Sequence, residues 1–249
     1  MSGHSKWATI KRKKGKEDAK RSKLFGKLSR IIMVAARNGS NPDMNAALAN
    51  AIDKAKSYSM PADNIERAIK KGAGELGAAD YEELTYEGFG PAGVAIMVDV
   101  MTDNRNRTAA DIRHIFTKYG GNLGAAGSVS WMFDRKGIIT IDKSHPIGED
   151  ELFALAIEAG AEDMISEDDQ WQITTEPTEL NFVKNIIEKH GIPISLAETA
   201  LIPKNPVKLD KEEAGRVLRL VDALEENDDV QDVYSNFDIA ADILEELTS

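Results

Sequence analysis

Lys16-Glu17-Asp18-Ala19-Lys20-Arg21-Ser22-Lys23-Leu24-Phe25-Gly26-Lys27-Leu28-Ser29-Arg30-Ile31-Ile32-Met33-Val34-Ala35-Ala36-Arg37 is the stretch on which the reading of this chain turns. Wound at about 100° per residue, it sorts into two stripes. Lys16, Lys20, Lys23, Lys27 and Arg30 are spaced 4, 3, 4 and 3 residues apart, which gathers them within roughly 80° of arc. Leu24, Phe25, Leu28, Ile31, Ile32 and Ala35 occupy the adjacent face. One side of this helix is made to pack while another presents a row of cations. Just ahead lies Lys11-Arg12-Lys13-Lys14, with no acid beside it. A cationic row at helical spacing suits a polyanion backbone, because each Lys or Arg neutralises a phosphate and releases counterions. The competing reading is a solvated helix face, and the adjoining basic block favours nucleic acid.

Charge asymmetry sharpens this. Residues 1–37 hold twelve Lys/Arg against two acids, a net of +10 in a chain whose total is −11, so the remainder carries −21. A uniformly acidic protein is repelled by DNA or RNA, whereas a dipolar one is steered by its positive pole. At 249 residues and 42% hydrophobic content the chain can bury a sizeable core. It has no cysteine, so disulfides, thiolate metal sites and a Cys nucleophile are excluded, which fits a reducing compartment. The amino end lacks the apolar segment of a secretory signal. No run approaches the ~18 apolar residues of a membrane span.

Residues 1–15 read as an arm. Its Trp7 either stacks on a base or tucks against the helices behind it. The first helix stops at Asn38-Gly39. A second starts at Asn41-Pro42-Asp43 and ends near Tyr58, with Ala47, Leu48, Ala51, Ile52 and Ala55 in one stripe. A third opens at Met60-Pro61 and closes at Lys70-Lys71-Gly72. These make a small bundle, and 72–77 is a glycine-rich linker. The period then changes. Leu84–Glu87 and Val94–Val100 form a hairpin about Gly88–Gly93. Asn106 or Thr108 caps a helix running to Tyr119. Val129–Phe133 and Gly137–Ile141 read as strands around Asp134-Arg135-Lys136. Further on come a helix at Glu149–Glu158, a strand at Trp171–Thr175, a helix at Thr178–His190, an extended segment at Ile194–Ile202, a helix at Glu212–Glu226, a strand at Val230–Tyr234 and a helix at Ile239–Leu247. Such alternation without long apolar strands favours small α+β sandwiches over a doubly wound sheet.

Motifs for chemistry are sparse. Gly120-Gly121-Asn122-Leu123-Gly124-Ala125-Ala126-Gly127 has the glycine content of a phosphate loop. It lacks the Gly-Lys-Ser/Thr ending and precedes a strand rather than a helix, so it reads as a turn. His4, His114, His145 and His190 are not at metal-ligand spacings. Glu162-Asp163 and Glu167-Asp168-Asp169 read as solvated loop charge. There is no Gly-X-Ser-X-Gly elbow. No catalytic residue, metal ligand, cofactor or small-molecule substrate is assigned, and nothing fixes an oligomeric state. Thr102-Asp103-Asn104-Arg105-Asn106-Arg107-Thr108 is more specific: two arginines and two asparagines stand where a strand hands over to a helix. They either grip phosphate or base edges or form a capping cluster, with Asp103 holding one Arg.

Taken together, Gly3-His4-Ser5-Lys6-Trp7, the basic block, Lys23-Leu24-Phe25, Asn64–Gly72, Tyr86-Glu87-Gly88, Thr102–Thr108 and Gly120–Gly124 resemble the YebC family over essentially the whole chain. The resemblance implies an α+β protein of three domains: a basic helical domain over 1–77, an α+β domain over 78–134 plus 204–249, and a second α+β domain inserted at 135–203. It implies a cytoplasmic regulator of transcription that binds DNA. Other relatives resemble translation factors that act on rRNA in the ribosome and relieve stalling at proline runs. The residues expected to contact nucleic acid are Lys6, Trp7, Lys11, Arg12, Lys13, Lys14, Lys20, Lys23, Lys27 and Arg30, with Arg105 and Arg107 as a second contact.

Overall fold

The computed structural model describes residues 18–76, 81–167 and 169–248. The amphipathic stretch forms helix α1 over Asp18–Ala36, burying Leu28, Ile32, Met33 and Ala36. The expected second helix start at Asn41-Pro42-Asp43 is instead a separate 3-10 turn, Pro42–Met44, capped by Asn41. Helix α2 begins afterwards, at Ala46–Ser57. Its start is set by buried Asn45, whose Oδ1 accepts the Leu48 N–H at 3.1 Å while Nδ2 donates to the Ala35 and Gly39 carbonyls, both at 2.8 Å. One side chain thus satisfies a first-turn donor of α2 and two acceptors at the end of α1.

Helix α3, Ala62–Gly72, packs its end against α1. A Cβ on Gly72 would stand 2.2 Å from the Met33 carbonyl oxygen and 2.8 Å from the Ala36 Cβ. Gly72→Ala is therefore expected to pry α3 from α1 and cost about 1–3 kcal/mol, read as a lowered thermal midpoint. Gly26→Ala, where an added Cβ meets nothing within 4 Å, is the control. It should be neutral or slightly stabilising.

Strand β1, Glu82–Phe89, and β2, Ala95–Thr102, form an antiparallel hairpin in register from Glu82↔Thr102 to Phe89↔Ala95. Helix α4, Arg105–Lys118, and the short β3, Asn122–Leu123, follow. Next are β4, Phe133–Asp142; α5, Glu149–Glu158; β5, Asp163–Ser166; β6, Gln170–Thr175; α6, Leu180–Lys189; and β7, Leu196–Pro203. The chain closes with β8, Val207–Lys208; α7, Lys211–Glu225; β9, Val230–Ser235; β10, Phe237–Asp238; and α8, Ala241–Thr248. This is an α+β fold.

Two compact units emerge, one comprising the described parts of 1–55, 59–133 and 203–249, the other 56–58 and 134–202. In the first, the sheet order is β3-β1-β2-β9. Alternate positions of β2 share one face of the sheet, and Ile96, Val98 and Val100 join a core with Ile112 and Phe116 of α4 and Val217, Leu220, Val221 and Leu224 of α7. Fully buried Asn236 ties the returning segment to this sheet. Its Oδ1 accepts the Ala95 N–H at 2.8 Å, its Nδ2 donates to the Asn205 carbonyl at 3.1 Å, and its own carbonyl accepts the Val207 N–H at 2.7 Å.

In the second unit the order is β5-β6-β4-β7, with Ile139, Ile141, Leu152, Ala156, Trp171, Ile173, Val183 and Ile187 at its centre. The strand expected at Val129–Phe133 is a 3-10 turn, Ser130–Met132, and the expected turn at Asp134-Arg135-Lys136 lies inside β4. Lys136 is accommodated in the strand because Glu162, at 2.7 Å, and Glu176 accept from its ammonium. Those carboxylates hold it protonated above the usual lysine range. Strand β5 and buried Glu167 replace what reads in sequence as solvated loop charge.

Candidate nucleic-acid interface

Helix α7 ends in Leu224-Glu225-Glu226-Asn227-Asp228-Asp229, with no cation of its own in the last turn. Acids at the negative pole of a helix dipole are locally unfavourable. The missing cations come from α1, about 200 residues away in sequence. Lys23 Nζ donates to the Glu226 carbonyl at 3.1 Å and Lys27 Nζ to the Glu225 carbonyl at 2.8 Å. Arg30 Nη1 donates to the Asp228 carbonyl and lies 4.0 Å from Asp229 Oδ1. Lys23 is also 4.0 Å from Asp228 Oδ1. Two turns of α1 thus neutralise the end of α7 from outside, and three of the expected phosphate ligands lie together on one contact.

Asp229 is the hub beneath them. Its residue is 7% exposed, and its Oδ2 accepts from Thr108 Oγ1 at 2.7 Å, Arg107 Nη2 at 2.8 Å and Thr102 Oγ1 at 3.3 Å. Burial pushes the Asp229 carboxyl up, but hydrogen bonds from Arg107 and Thr108, with the charges of Arg107 and Arg30, outweigh it and hold it below the ordinary range. Arg107 is held in turn by Asp103 at 3.0 Å. Asn104, not Asn106 or Thr108, caps α4 by accepting the Arg107 N–H at 3.1 Å. Thr108 is buried with its hydroxyl turned to Asp229, so it has no part in capping. Around this hub an open depression of about 380 Å³ is lined by Arg30, Tyr81, Asp103, Arg107, Asp111 and Asp228 among others. The Arg30 guanidinium sits 5.7 Å over the Tyr81 ring.

The two arginines of the second expected contact therefore separate. Arg107 belongs to the Asp229 network, although its side chain is 48% exposed. Arg105 is exposed at the start of α4; burial raises the Tyr86 phenol above its ordinary range, and the charges of Arg105 and Arg113 offset part of that shift. The glycine-rich loop is also accounted for. Glu87, 8% exposed, takes the Gly127 N–H on Oε1 at 2.7 Å and the Val129 and Ser130 N–H groups on Oε2 at 2.8 and 2.9 Å. The amides that a phosphate would need are already directed at an internal carboxylate. Burial pushes that carboxyl up, and the three backbone donors more than reverse the effect, leaving it below its usual value. Glu87→Gln supplies an amide N–H where backbone N–H groups converge, so it should cost about 2 kcal/mol and lower the chemical-denaturation midpoint at pH 7. The gap to wild type should close on acidification, because the wild-type carboxylate stabilises fully above ~4.3 and loses this as pH falls through its lower folded value.

Of the remaining expected ligands, Lys20 falls on the first turn of α1. Lys6, Trp7, Lys11, Arg12, Lys13 and Lys14 lie outside the described residues. Tyr81, Asp228 and Asp229 are members of the site that spacing and motifs do not pick out. The signal that points to the two aspartates is the acid-rich helix end at 225–229, which needs cations and has none in its last turn; nothing in the sequence points to Tyr81. Among the described residues no helix is long and apolar enough to cross a membrane.

Two family models match the chain: the TACO1/YebC protein N-terminal domain over residues 5–75 and the TACO1/YebC second and third domain over residues 81–237. A protein of Rubrobacter xylanophilus named probable transcriptional regulatory protein is 55% identical over 249 residues, covering 99% of each chain. One of the same name from Pelotomaculum thermopropionicum is 56% identical over 242 residues, 96% of this chain and 99% of that one. The crystal structure of a conserved hypothetical protein from Aquifex aeolicus, 52% identical, matches with a TM-score of 0.83 over 91% of this chain and 94% of that chain.

Proposed function

Because this chain belongs to the TACO1/YebC family, we propose that it is a nucleic-acid-binding regulator of gene expression, acting on DNA as a transcriptional regulator. The observation that carries this reading is the concentration of charge: net +10 in the first 37 residues of a chain that is otherwise −21. Relatives named probable transcriptional regulatory proteins support the regulatory role. In this reading the basic arm (Lys6, Lys11, Arg12, Lys13 and Lys14) and the α1 cations Lys20, Lys23, Lys27 and Arg30 grip phosphates. Trp7 stacks on a base and Arg105 adds an outlying cation. Contacts of this kind position a protein on nucleic acid without reading its sequence. The acidic remainder keeps the rest of the surface off the polyanion.

The test is a mobility-shift series with duplex DNA and with single-stranded RNA, run from low to high salt. Binding whose logarithm falls linearly with log salt, and which is as tight on the duplex as on RNA, is the expected result. Salt-independent affinity ends the reading. Preference for RNA together with co-sedimentation of the protein with ribosomal subunits moves the target from DNA to the ribosome.

A further inference from the structure

Resting on that reading, we infer that the acidic end of α7 is a built-in competitor for nucleic acid: it occupies the α1 cations that phosphates would use and is displaced when they bind. The α1 row spans only roughly 80° of arc. The face that abuts Glu225, Glu226 and Asp228 cannot simultaneously lie along a phosphate backbone. Lys23, Lys27 and Arg30 each donate to a backbone carbonyl there, and two of the three also stand 4.0 Å from a carboxylate.

The competitor imitates the ligand it excludes. A helix C-terminus presents aligned carbonyls equivalent to about half a negative charge, and Glu225, Glu226, Asp228 and Asp229 add full charges around it. It is a weaker partner than a run of phosphates, because surface pairs of this type contribute little individually whereas each phosphate contact also releases a counterion. The arm carries the first contacts, and α1 exchanges the α7 end for phosphate afterwards. Nucleic-acid binding and the α1–α7 contact are then linked, each weakening the other by the same factor. Short or weakly charged polyanions fail to open the contact, which gives the protein a threshold in polyanion length.

The full chain, which has no native cysteine, allows a direct test. Gly26→Cys on α1, where an added Cβ meets nothing within 4 Å, and Asp242→Cys, exposed on α8, accept a pair of spin labels. A duplex of about 20 base pairs, two turns of DNA, should lengthen the distance between them by several Å, and inorganic phosphate should not. In parallel, Glu226→Gln/Asp228→Asn, both at exposed positions, should bind the duplex about threefold to tenfold more tightly, the gain fading towards ~0.5 M salt. Asp150→Asn/Glu151→Gln in the second unit makes the same change in net charge and should leave affinity within about twofold. A distance unmoved while the duplex is bound, or an equal gain in the control pair, overturns the inference. Failure of wild type to bind any polynucleotide removes the nucleic-acid reading itself, and this inference with it.

Discussion

Asp229→Ala is expected to lower the free energy of unfolding by about 2–3 kcal/mol. The carboxylate accepts from two threonine hydroxyls and a guanidinium, and a second guanidinium stands 4.0 Å away. Truncation leaves the Thr102 and Thr108 hydroxyls, both fully buried, without their shared acceptor. Arg107 is half exposed and rehydrates, which keeps the cost below that of a wholly buried ion pair. Asp229→Asn preserves shape but loses charge, so it should cost less than Ala. Urea unfolding of the three proteins checks the order. The pH dependence has a defined direction. The folded carboxyl titrates below its unfolded value, so its stabilisation is complete above ~3.9 and disappears as pH falls through the lower folded value. The alanine variant and wild type should therefore converge in acid. If they unfold at the same urea concentration at pH 7, the hub does not hold the α4 start and the α7 end together.

The second large effect concerns binding. Replacing Lys6, Lys11, Arg12, Lys13 and Lys14 together by alanine removes five of the charges assigned to phosphate. The slope of log affinity against log salt should flatten by about four to five, and affinity near ~0.1 M salt should fall at least about 100-fold. Because these residues precede the α1 core, the thermal midpoint should be unchanged within about 2 °C, which separates lost binding from lost fold. The corresponding Lys23/Lys27→Ala pair should behave differently. It removes two phosphate ligands and also the outside compensation of the α7 end, so both the slope and the midpoint should drop.

Periodicity exposed most of the architecture. The 3.6-residue stripe of α1, the hairpin of β1 and β2, and α5 at Glu149–Glu158 all follow from spacing and turn residues alone. What spacing could not show is which distant groups meet. Asn104 rather than Asn106 or Thr108 caps α4, and Thr108, already inside the helix, meets Asp229, 121 residues later. The glycine-rich loop suited a phosphate in outline, and its actual anion, Glu87, lies 40 residues upstream of the Gly127 amide. Strand β4 runs through Asp134-Arg135-Lys136 because Glu162 and Glu176 neutralise Lys136. In each case the partner that decides the local arrangement lies far away in the sequence. The same holds for the cationic row. Its existence was legible, but its engagement with the α7 end was not, because about 200 residues separate the cations from the carbonyls they meet.

Strand β2 lies between β1, its immediate predecessor, and β9, which starts at Val230, 128 residues after the Thr102 that ends β2. At the ~5–20 residues per second of protein synthesis, the nascent hairpin waits on the order of ten seconds with one flank of hydrogen-bonding groups open. A bare flank of that kind is an invitation to adhere to other chains. The 134–202 unit is complete before the strand that closes the gap emerges, so it can mature first, and a strand made near the end of synthesis seals a hairpin made in its first half.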